Sequence, residues 1–201
     1  MNKILLITFI SVSFFSCKSE IEKRDEIILN KSKEHINHEL NNSIGKDLKS
    51  IDSISIISVD TLTMKDEYDL TFQSLNPLAN YLSEMLNIQM DNAKKKTELA
   101  KLGSELYGGT LTEIEIKSAK EASDKAKTYL DSLQNLVKEG IRLQDLTKKA
   151  DSIKPTSFKA LIKISVTKSN GIYDVDTAQL FFNKNLQLID FKTIKSNYTK
   201  Y

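Results

Sequence analysis

The most constraining feature of this sequence is a strictly alternating segment that is followed by a tight-turn dipeptide. Asn170-Gly171 is a strong hairpin signal, because both residue types accept positive φ. A strand over about 172–183 then returns, Lys184-Asn185 turns again, and residues 186–194 complete an antiparallel meander. The alternating apolar positions of the first strand, which predict one buried face, are Phe158, Ala160, Ile162, Ile164 and Val166.

Three elements are predicted before the helical part of the chain. Apolar residues at helical spacing predict a helix over about 22–48, and β-branched residues predict a strand over 53–64. A second short strand is predicted over 68–72, across the polar turn Lys65-Asp66-Glu67. The predicted helix face is Leu29, Ile36, Leu40, Ile44 and Leu48.

A long antiparallel helical hairpin is predicted over about 77–150. Asn76-Pro77 opens its first arm with a capping side chain and a proline, and Gly108-Gly109 ends that arm. Thr110 and Glu113 have the spacing of a capping box at the start of the second arm. The apolar face of the first arm is Leu78, Leu82, Met85, Leu99, Leu102 and Leu106. That of the second arm is Leu111, Ile114, Ser118, Ala122, Ala126, Tyr129, Leu133, Val137 and Ile141.

Small residues in both arms predict that the two helices approach closely, since Ala122 and Ala126 would meet Ala93 and Ala100. The order of elements indicates an α+β fold: an N-terminal helix, the long helical hairpin and a C-terminal three- to four-stranded antiparallel meander. A chain of 201 residues with 40% hydrophobic residues suits a single domain over 22–201. This outline is similar in topology to the cystatin and NTF2-like folds, and topology alone implies no function.

The first 16 residues have the pattern of a secretory signal. A positive start at Lys3 precedes the apolar run Ile4–Phe15, which is too short to span a membrane. The segment Ser13-Phe14-Phe15-Ser16-Cys17 resembles a bacterial lipobox, in the looser form of Bacteroidetes lipoproteins. The resemblance implies cleavage before Cys17, lipid on its sulfur and its amine, and a short lipidated anchor over 17–21.

The residues around Cys17 also carry an expectation about location. Lys18, in place of Asp after the cysteine, implies by likeness to lipoprotein sorting that the protein resides at the outer membrane, with its periplasmic or surface face left open. Several acyl chains together anchor a protein stably. Because Cys17 is the single cysteine, the chain forms no internal disulfide and no thiolate metal cluster.

Composition argues against several classes of function. The net charge is +2, and only Arg24 and Arg142 among 29 basic residues are arginine, so we expect no nucleic-acid partner. His35 and His38 lie three apart on the first helix, but no second His or Cys cluster completes a metal site, and they are predicted to be surface residues. We expect no metal and no cofactor.

Two carboxylates in the meander are candidates for a ligand or partner site. Asp174 and Asp176 flank Val175, so both side chains point to the same side of the sheet. Paired carboxylates serve as acid and base or bind calcium. Without a glycine-centred calcium loop, a solvent-exposed pair is the favoured interpretation. The neighbouring Phe181-Phe182 would mark a ligand or partner site if one sheet face were uncovered.

These patterns predict a membrane-anchored envelope lipoprotein that acts as a non-catalytic binding or interaction module. Its partners would be the membrane, through the lipid on Cys17, and an envelope protein or polysaccharide. Two alternatives stay open: a carrier of a small apolar ligand, and an envelope enzyme that uses Asp174 and Asp176. An enzyme is disfavoured, because the sequence has no glycine-rich phosphate loop and no nucleophile elbow.

Overall fold

A computed structural model describes residues 18–41, 43–106 and 110–201 and has an α+β architecture. The strands of these residues form a four-stranded antiparallel sheet in the order β1-β2-β3-β4. The predicted fold class is confirmed: an N-terminal helix, a long helical hairpin and an antiparallel sheet. The elements in chain order are α1 (Glu20–Asn41), β1 (Leu48–Thr63), α2 (Met64–Gln73), α3 (Asn76–Leu106), α4 (Thr110–Lys149), β2 (Pro155–Lys168), β3 (Tyr173–Asn183), β4 (Leu188–Ile189) and α5 (Phe191–Ser196).

The chain divides into two compact units. The first, here called the sheet unit, comprises the described residues up to Thr61 together with Ser157–Ile189. The second, the helical unit, comprises Leu62–Thr156 and Asp190–Tyr201. Each unit has its own cluster of buried apolar side chains.

The core of the sheet unit forms where α1 covers one face of the sheet. Ser32 lies on the buried side of α1, and its hydroxyl is satisfied because Oγ donates to the carbonyl of Ile28 at 2.7 Å. The predicted alternation of β2 is confirmed, since Ala160 and Ile162 are fully buried. The central cluster consists of Ile28, Ile36, Ala160, Ile162 and Phe182.

The predicted hairpin at Asn170-Gly171 is also confirmed. Gly171 has φ +82°, a conformation that L side chains rarely adopt. The backbone N–H of Lys168 donates to the carbonyl of Ile172 at 2.8 Å and closes the turn. From there β2 and β3 pair in unbroken register between Thr167↔Tyr173 and Ser157↔Asn183.

The first helix ends earlier than the predicted Leu48, because α1 stops at Asn41. Asparagine and serine are weak helix formers, and Gly45 adopts φ +83° in the turn that follows. Ile44 is consequently exposed instead of continuing the helix face. The next strand starts at Leu48, before its predicted first residue.

The predicted short strand over 68–72 is wrong, since these residues lie in α2. Thr63 and Asp66 form a capping box in which the N–H of Thr63 donates to Asp66 Oδ2 at 2.8 Å and the N–H of Asp66 donates to Thr63 Oγ1 at 3.4 Å. This box starts a helix at Met64 directly after the strand. Tyr68 and Phe72, which are four residues apart, therefore lie on one face of a short amphipathic helix.

The last predicted strand, over 186–194, is wrong beyond Ile189, because a helix begins at Phe191. Only Leu188–Ile189 pairs with β3, opposite Phe182 and Phe181. Asp190 then caps α5, because its Oδ1 accepts the backbone N–H of Lys192 at 2.8 Å. The chain leaves the sheet at that cap.

The helical unit contains the predicted hairpin, formed by α3 and α4 with α2 packed against α4. Ala100, Ala122 and Ala126 are buried, as the small-residue pattern predicts. Gly108-Gly109 lie outside the described residues, and so do the side chains of Leu106, Thr110 and Leu111, so the predicted capping box is not described. The buried residues that hold the arms together near their base are Leu75, Leu82, Leu136 and Leu143.

The predicted apolar faces of the hairpin are partly wrong. On α3, Leu99 and Leu102 are exposed, and on α4 the same holds for Ile114, Val137 and Ile141. The buried row of α4 contains Leu136, Gly140 and Leu143, one position away from the predicted row. Gly140 faces the ring of Phe72, where an added Cβ would lie 3.1 Å from Cε2. An alanine at this position would require the Phe72 ring to move by a few tenths of an ångström.

Candidate functional site

Cys17 and the leader lie outside the described residues. The described chain begins beside them, and α1 starts at Glu20, inside the predicted anchor segment 17–21. The Lys18 ammonium group, just before α1, lies 2.7 Å from Oε2 of Glu26, which is in the second turn of that helix. Within the described residues, no helix combines the length and the apolar character that crossing a membrane requires.

Asp174 and Asp176 lie where the alternation places them, on one face of β3. Their Cα partners in β2 are Val166 and Ile164, so they share the sheet face that carries the core of the sheet unit. Neither is buried. The pair therefore continues the core face into solvent near the Asn170-Gly171 turn.

Each of the two carboxylates bonds to the backbone of the next residue. Asp174 Oδ1 accepts the N–H of Val175 at 2.9 Å, and Asp176 Oδ1 accepts the N–H of Thr177 at 2.7 Å. The Lys168 ammonium group lies 2.7 Å from Asp174 Oδ2. That hydrogen bond, with the one from Val175, holds the pKa of Asp174 below its ordinary range. Such a carboxylate binds cations and N–H groups, but it is poorly suited to donate a proton at neutral pH.

The two histidines lie on α1, as predicted. His38 is 86% exposed in its side chain, and its Nδ1 lies 3.7 Å from Glu39 Oε1. His35 lines a shallow cavity with Lys31, Glu34 and Leu188. Among the described residues, no group of three or more His, Cys, Asp or Glu side chains is placed to hold a metal ion.

The helical unit has an apolar cavity of about 260 Å³ on the surface between α2, α3 and α4. Val137 and Ile141, which are more than half exposed, form one wall. Phe72, Leu75 and Ala79 contribute to the opposite side, and the polar residues at its margin are Asn76 and Gln144. Ligand pockets usually measure about 300–1,000 Å³. This cavity fits one or two apolar side chains or a short alkyl segment.

A buried carboxyl group that the sequence does not reveal lies elsewhere in the helical unit. Glu67 of α2 is 6% exposed. Its Oε2 accepts the hydroxyl of Tyr198 at 2.5 Å, and its Oε1 accepts the hydroxyl of Thr156 at 2.7 Å. The Tyr198 ring also packs on Tyr68 with centroids 4.6 Å apart. These contacts attach the segment after α5 to α2, so Glu67 acts as a buried anchor point.

Arg142, one of two arginines, holds the same segment from α4. Its guanidinium donates to both carboxylate oxygens of Glu139, at 2.8 and 2.7 Å, and to the backbone carbonyl of Tyr198. The Arg142 hydrogen bonds hold the pKa of Glu139 below its ordinary range. A planar fork with several donors makes such a three-way contact, whereas lysine would lose part of it.

Replacing Tyr198 by phenylalanine is expected to lower the free energy of unfolding by about 1–3 kcal/mol at pH 7, because the buried Glu67 Oε2 loses the hydrogen bond from the Tyr198 hydroxyl. Burial, followed by the bond to Glu67, raises the pKa of Tyr198 well above its ordinary value. An unfolded tyrosine loses its proton near pH 10, so this contribution is present below that pH and decreases as the pH rises beyond it.

Urea unfolding at pH 7 and at pH 10.5 measures the difference in the free energy of unfolding between the wild type and Tyr198→Phe. Tyr81→Phe, at a residue that is half exposed on α3, serves as the control and should change little. Equal stability of the Tyr198→Phe variant and the wild type at pH 7 would contradict the role assigned to Glu67.

Comparisons with known proteins add no family to this description. No family model matches the sequence, and no curated protein or solved structure is significantly similar to it.

Proposed function

We propose that this chain is a lipid-anchored protein of the bacterial envelope that acts as a non-catalytic binding module at the outer membrane. The observation that carries the proposal is the Ser16-Cys17 pair at the end of a short apolar run, followed at once by charged residues. Since α1 starts at Glu20, a lipidated Cys17 would leave only a few residues between the membrane and the folded chain.

The side chains favour binding over catalysis. The carboxylates that the sequence singles out accept hydrogen bonds from a lysine and from backbone N–H groups, and the pKa of Asp174 is lowered. The buried Glu67 is enclosed by hydroxyl groups that attach two segments of the helical unit. These contacts stabilise the structure. A general acid holds its proton at neutral pH, and the lowered pKa of Asp174 makes that carboxyl unsuited to the role.

Cells that express the chain should incorporate labelled palmitate into it, and Cys17→Ser should abolish the label. The chain has no other cysteine to which lipid could be attached. The variant should also leave the membrane fraction, since its acyl chains supply the attachment. Lys18→Ala is the matched control and should keep the label. Label that persists in Cys17→Ser would overturn the proposed anchor.

A carrier of a small apolar ligand is the second candidate, and the cavity beside Val137 and Ile141 favours it. Its volume of about 260 Å³ holds part of an acyl chain but not a whole lipid. Mass spectrometry of the protein purified under native conditions distinguishes the two functions. A stoichiometric co-purified lipid that is lost in Ile141→Lys would support the carrier.

A further inference from the structure

Within the part of the chain that the structure describes, no strand pairs with the outer edge of β3 over most of its length. The N–H of Lys168 donates to the carbonyl of Ile172. In this register the backbone N–H and C=O groups of the even-numbered residues of β3 point towards β2. On the side of β3 away from β2, the N–H of Asn183 donates to the carbonyl of Gln187. The backbone N–H and C=O groups of the odd-numbered residues therefore point outward. Within the described chain, β4 pairs only with Phe181 and Phe182. The outward N–H and C=O groups of residues 173–179, here called the β3 edge, therefore face away from every described strand.

The two carboxylates bond to donors of this edge. Val175 and Thr177 are odd-numbered, so their N–H groups point outward, and these are the groups that Asp174 and Asp176 accept. Each bond is made within the strand and breaks by rotation of one side chain. An incoming strand can therefore replace these two side-chain bonds with regular backbone hydrogen bonds, which are the basis of strand addition.

We propose that the β3 edge binds an extended peptide segment in which basic residues alternate with apolar ones. This inference rests on the proposed binding function and names the surface and the partner that serve it. An added strand places alternate side chains on the two faces of the sheet. On one face they would lie beside the carboxylates, and on the other beside Tyr173 and Val175, which are 61% and 44% exposed.

The charges of the edge select the basic partner. Asp174 already binds an ammonium group at 2.7 Å, that of Lys168. Among the described residues, no basic side chain lies within 4.0 Å of Asp176, so this carboxylate is the position at which a partner's lysine or arginine gains most. Opposite charges across neighbouring strands stabilise the pairing.

A second copy of the chain is a poor occupant of the same edge. Antiparallel pairing of two β3 edges about Val175 would place Asp174 of one copy opposite Asp176 of the other. Like charges that face each other directly across strands are destabilising. The acidic pair thus disfavours self-association and retains the edge for a basic segment.

The test uses the full-length chain, extracted from membranes in detergent, and fluorescence anisotropy of two labelled peptides of eight residues. In one peptide lysine alternates with valine, and in the other glutamate replaces lysine. The lysine peptide should bind about tenfold or more tightly than the glutamate peptide. Asp176→Lys should abolish or reverse this preference, whereas Asp131→Lys, the same charge change on an exposed site of α4, should leave it intact.

Val175→Pro separates strand addition from charge attraction. It removes an outward N–H and leaves the bonds between β3 and β2 in place, a position at which proline is tolerated in sheets. The variant should bind the lysine peptide about tenfold more weakly. In the wild type, hydrogen exchange over residues 173–179 should slow when the peptide is added, a readout that does not depend on any variant folding.

Three results would overturn the proposal: equal binding of the two peptides, unchanged binding by Val175→Pro, or unchanged hydrogen exchange of the β3 edge. None of them bears on the palmitate experiment, because the edge and Cys17 are probed separately. Absence of label from the wild-type chain, or label that persists in Cys17→Ser, together with intact peptide binding would reject the anchor alone. Intact label without peptide binding would reject the β3 edge alone.

Discussion

Phe182→Ala is expected to destabilise the sheet unit by about 3–5 kcal/mol, the range for truncating a fully buried phenylalanine. Phe182 is 0% exposed and packs with Ile28, Ala160 and Ile162 at the centre of the core. A loss of this size is a large part of the 5–15 kcal/mol by which domains are usually stable. The substitution would leave a cavity between α1 and the sheet, where the neighbouring side chains are already packed.

Hydrogen exchange measured by mass spectrometry checks this prediction, because it reports on the sheet unit separately from the helical unit. Amides of α1, β2 and β3 should lose protection. Tyr173→Ala is the matched control on the same strand, and its 61% exposure predicts a change of about 0.5 kcal/mol or less. Equal effects of the two substitutions would show that the assigned core face of β3 is wrong.

Leu143→Ala is expected to destabilise the helical unit by about 2–5 kcal/mol. Leu143 is 0% exposed and belongs to the cluster at the base of the hairpin, with Leu75, Leu82 and Leu136. The matched substitution Ile141→Ala lies two residues earlier on α4, at a side chain that is 56% exposed. It should cost much less, because most of the side chain already contacts solvent.

This pair of variants also decides which face of α4 is buried. The sequence pattern places Ile141 in the buried row, and the structure places Leu143 there. Urea unfolding followed by circular dichroism gives the two stabilities, since α3 and α4 supply much of the helical signal. A larger loss in Ile141→Ala than in Leu143→Ala would favour the sequence pattern over the structure.

The parts of the fold that could be predicted are those set by local signals. The alternation of Phe158–Val166 and the Asn170-Gly171 turn specify β2, β3 and their register without information from elsewhere in the chain. The helical hairpin follows from its length and from its small residues. Such elements need only a period and a turn.

The parts that could not be predicted depend on distant contacts or on a competing local signal. Apolar residues form two adjacent rows on α4, and the row that packs against α2 and α3 is the buried one. Residues 63–66 contain a capping box, but the polar turn that overlaps it suggested a second strand. Where two patterns compete within a few residues, tertiary packing chooses between them.

The candidate site was partly predictable in the same sense. That Asp174 and Asp176 share a face follows from a period of two, and the register confirms it. That they bond to outward N–H groups could not be predicted, because it depends on which strand lies on each side of β3. Glu67 gave no signal at all, since its partner Tyr198 is 131 positions away.

The hydrogen bond from Thr156 Oγ1 to Glu67 Oε1, at 2.7 Å, has a consequence for the order of folding. These residues are 89 positions apart, Glu67 just after β1 and Thr156 at the start of β2. Closing so long a loop carries an entropic cost that short hairpins avoid. Helices assemble from near neighbours in the chain, so the helical unit can form first and bring the two ends together. We expect β2 and β3 to pair early through their tight turn, and β1 to join the sheet as the slow last step.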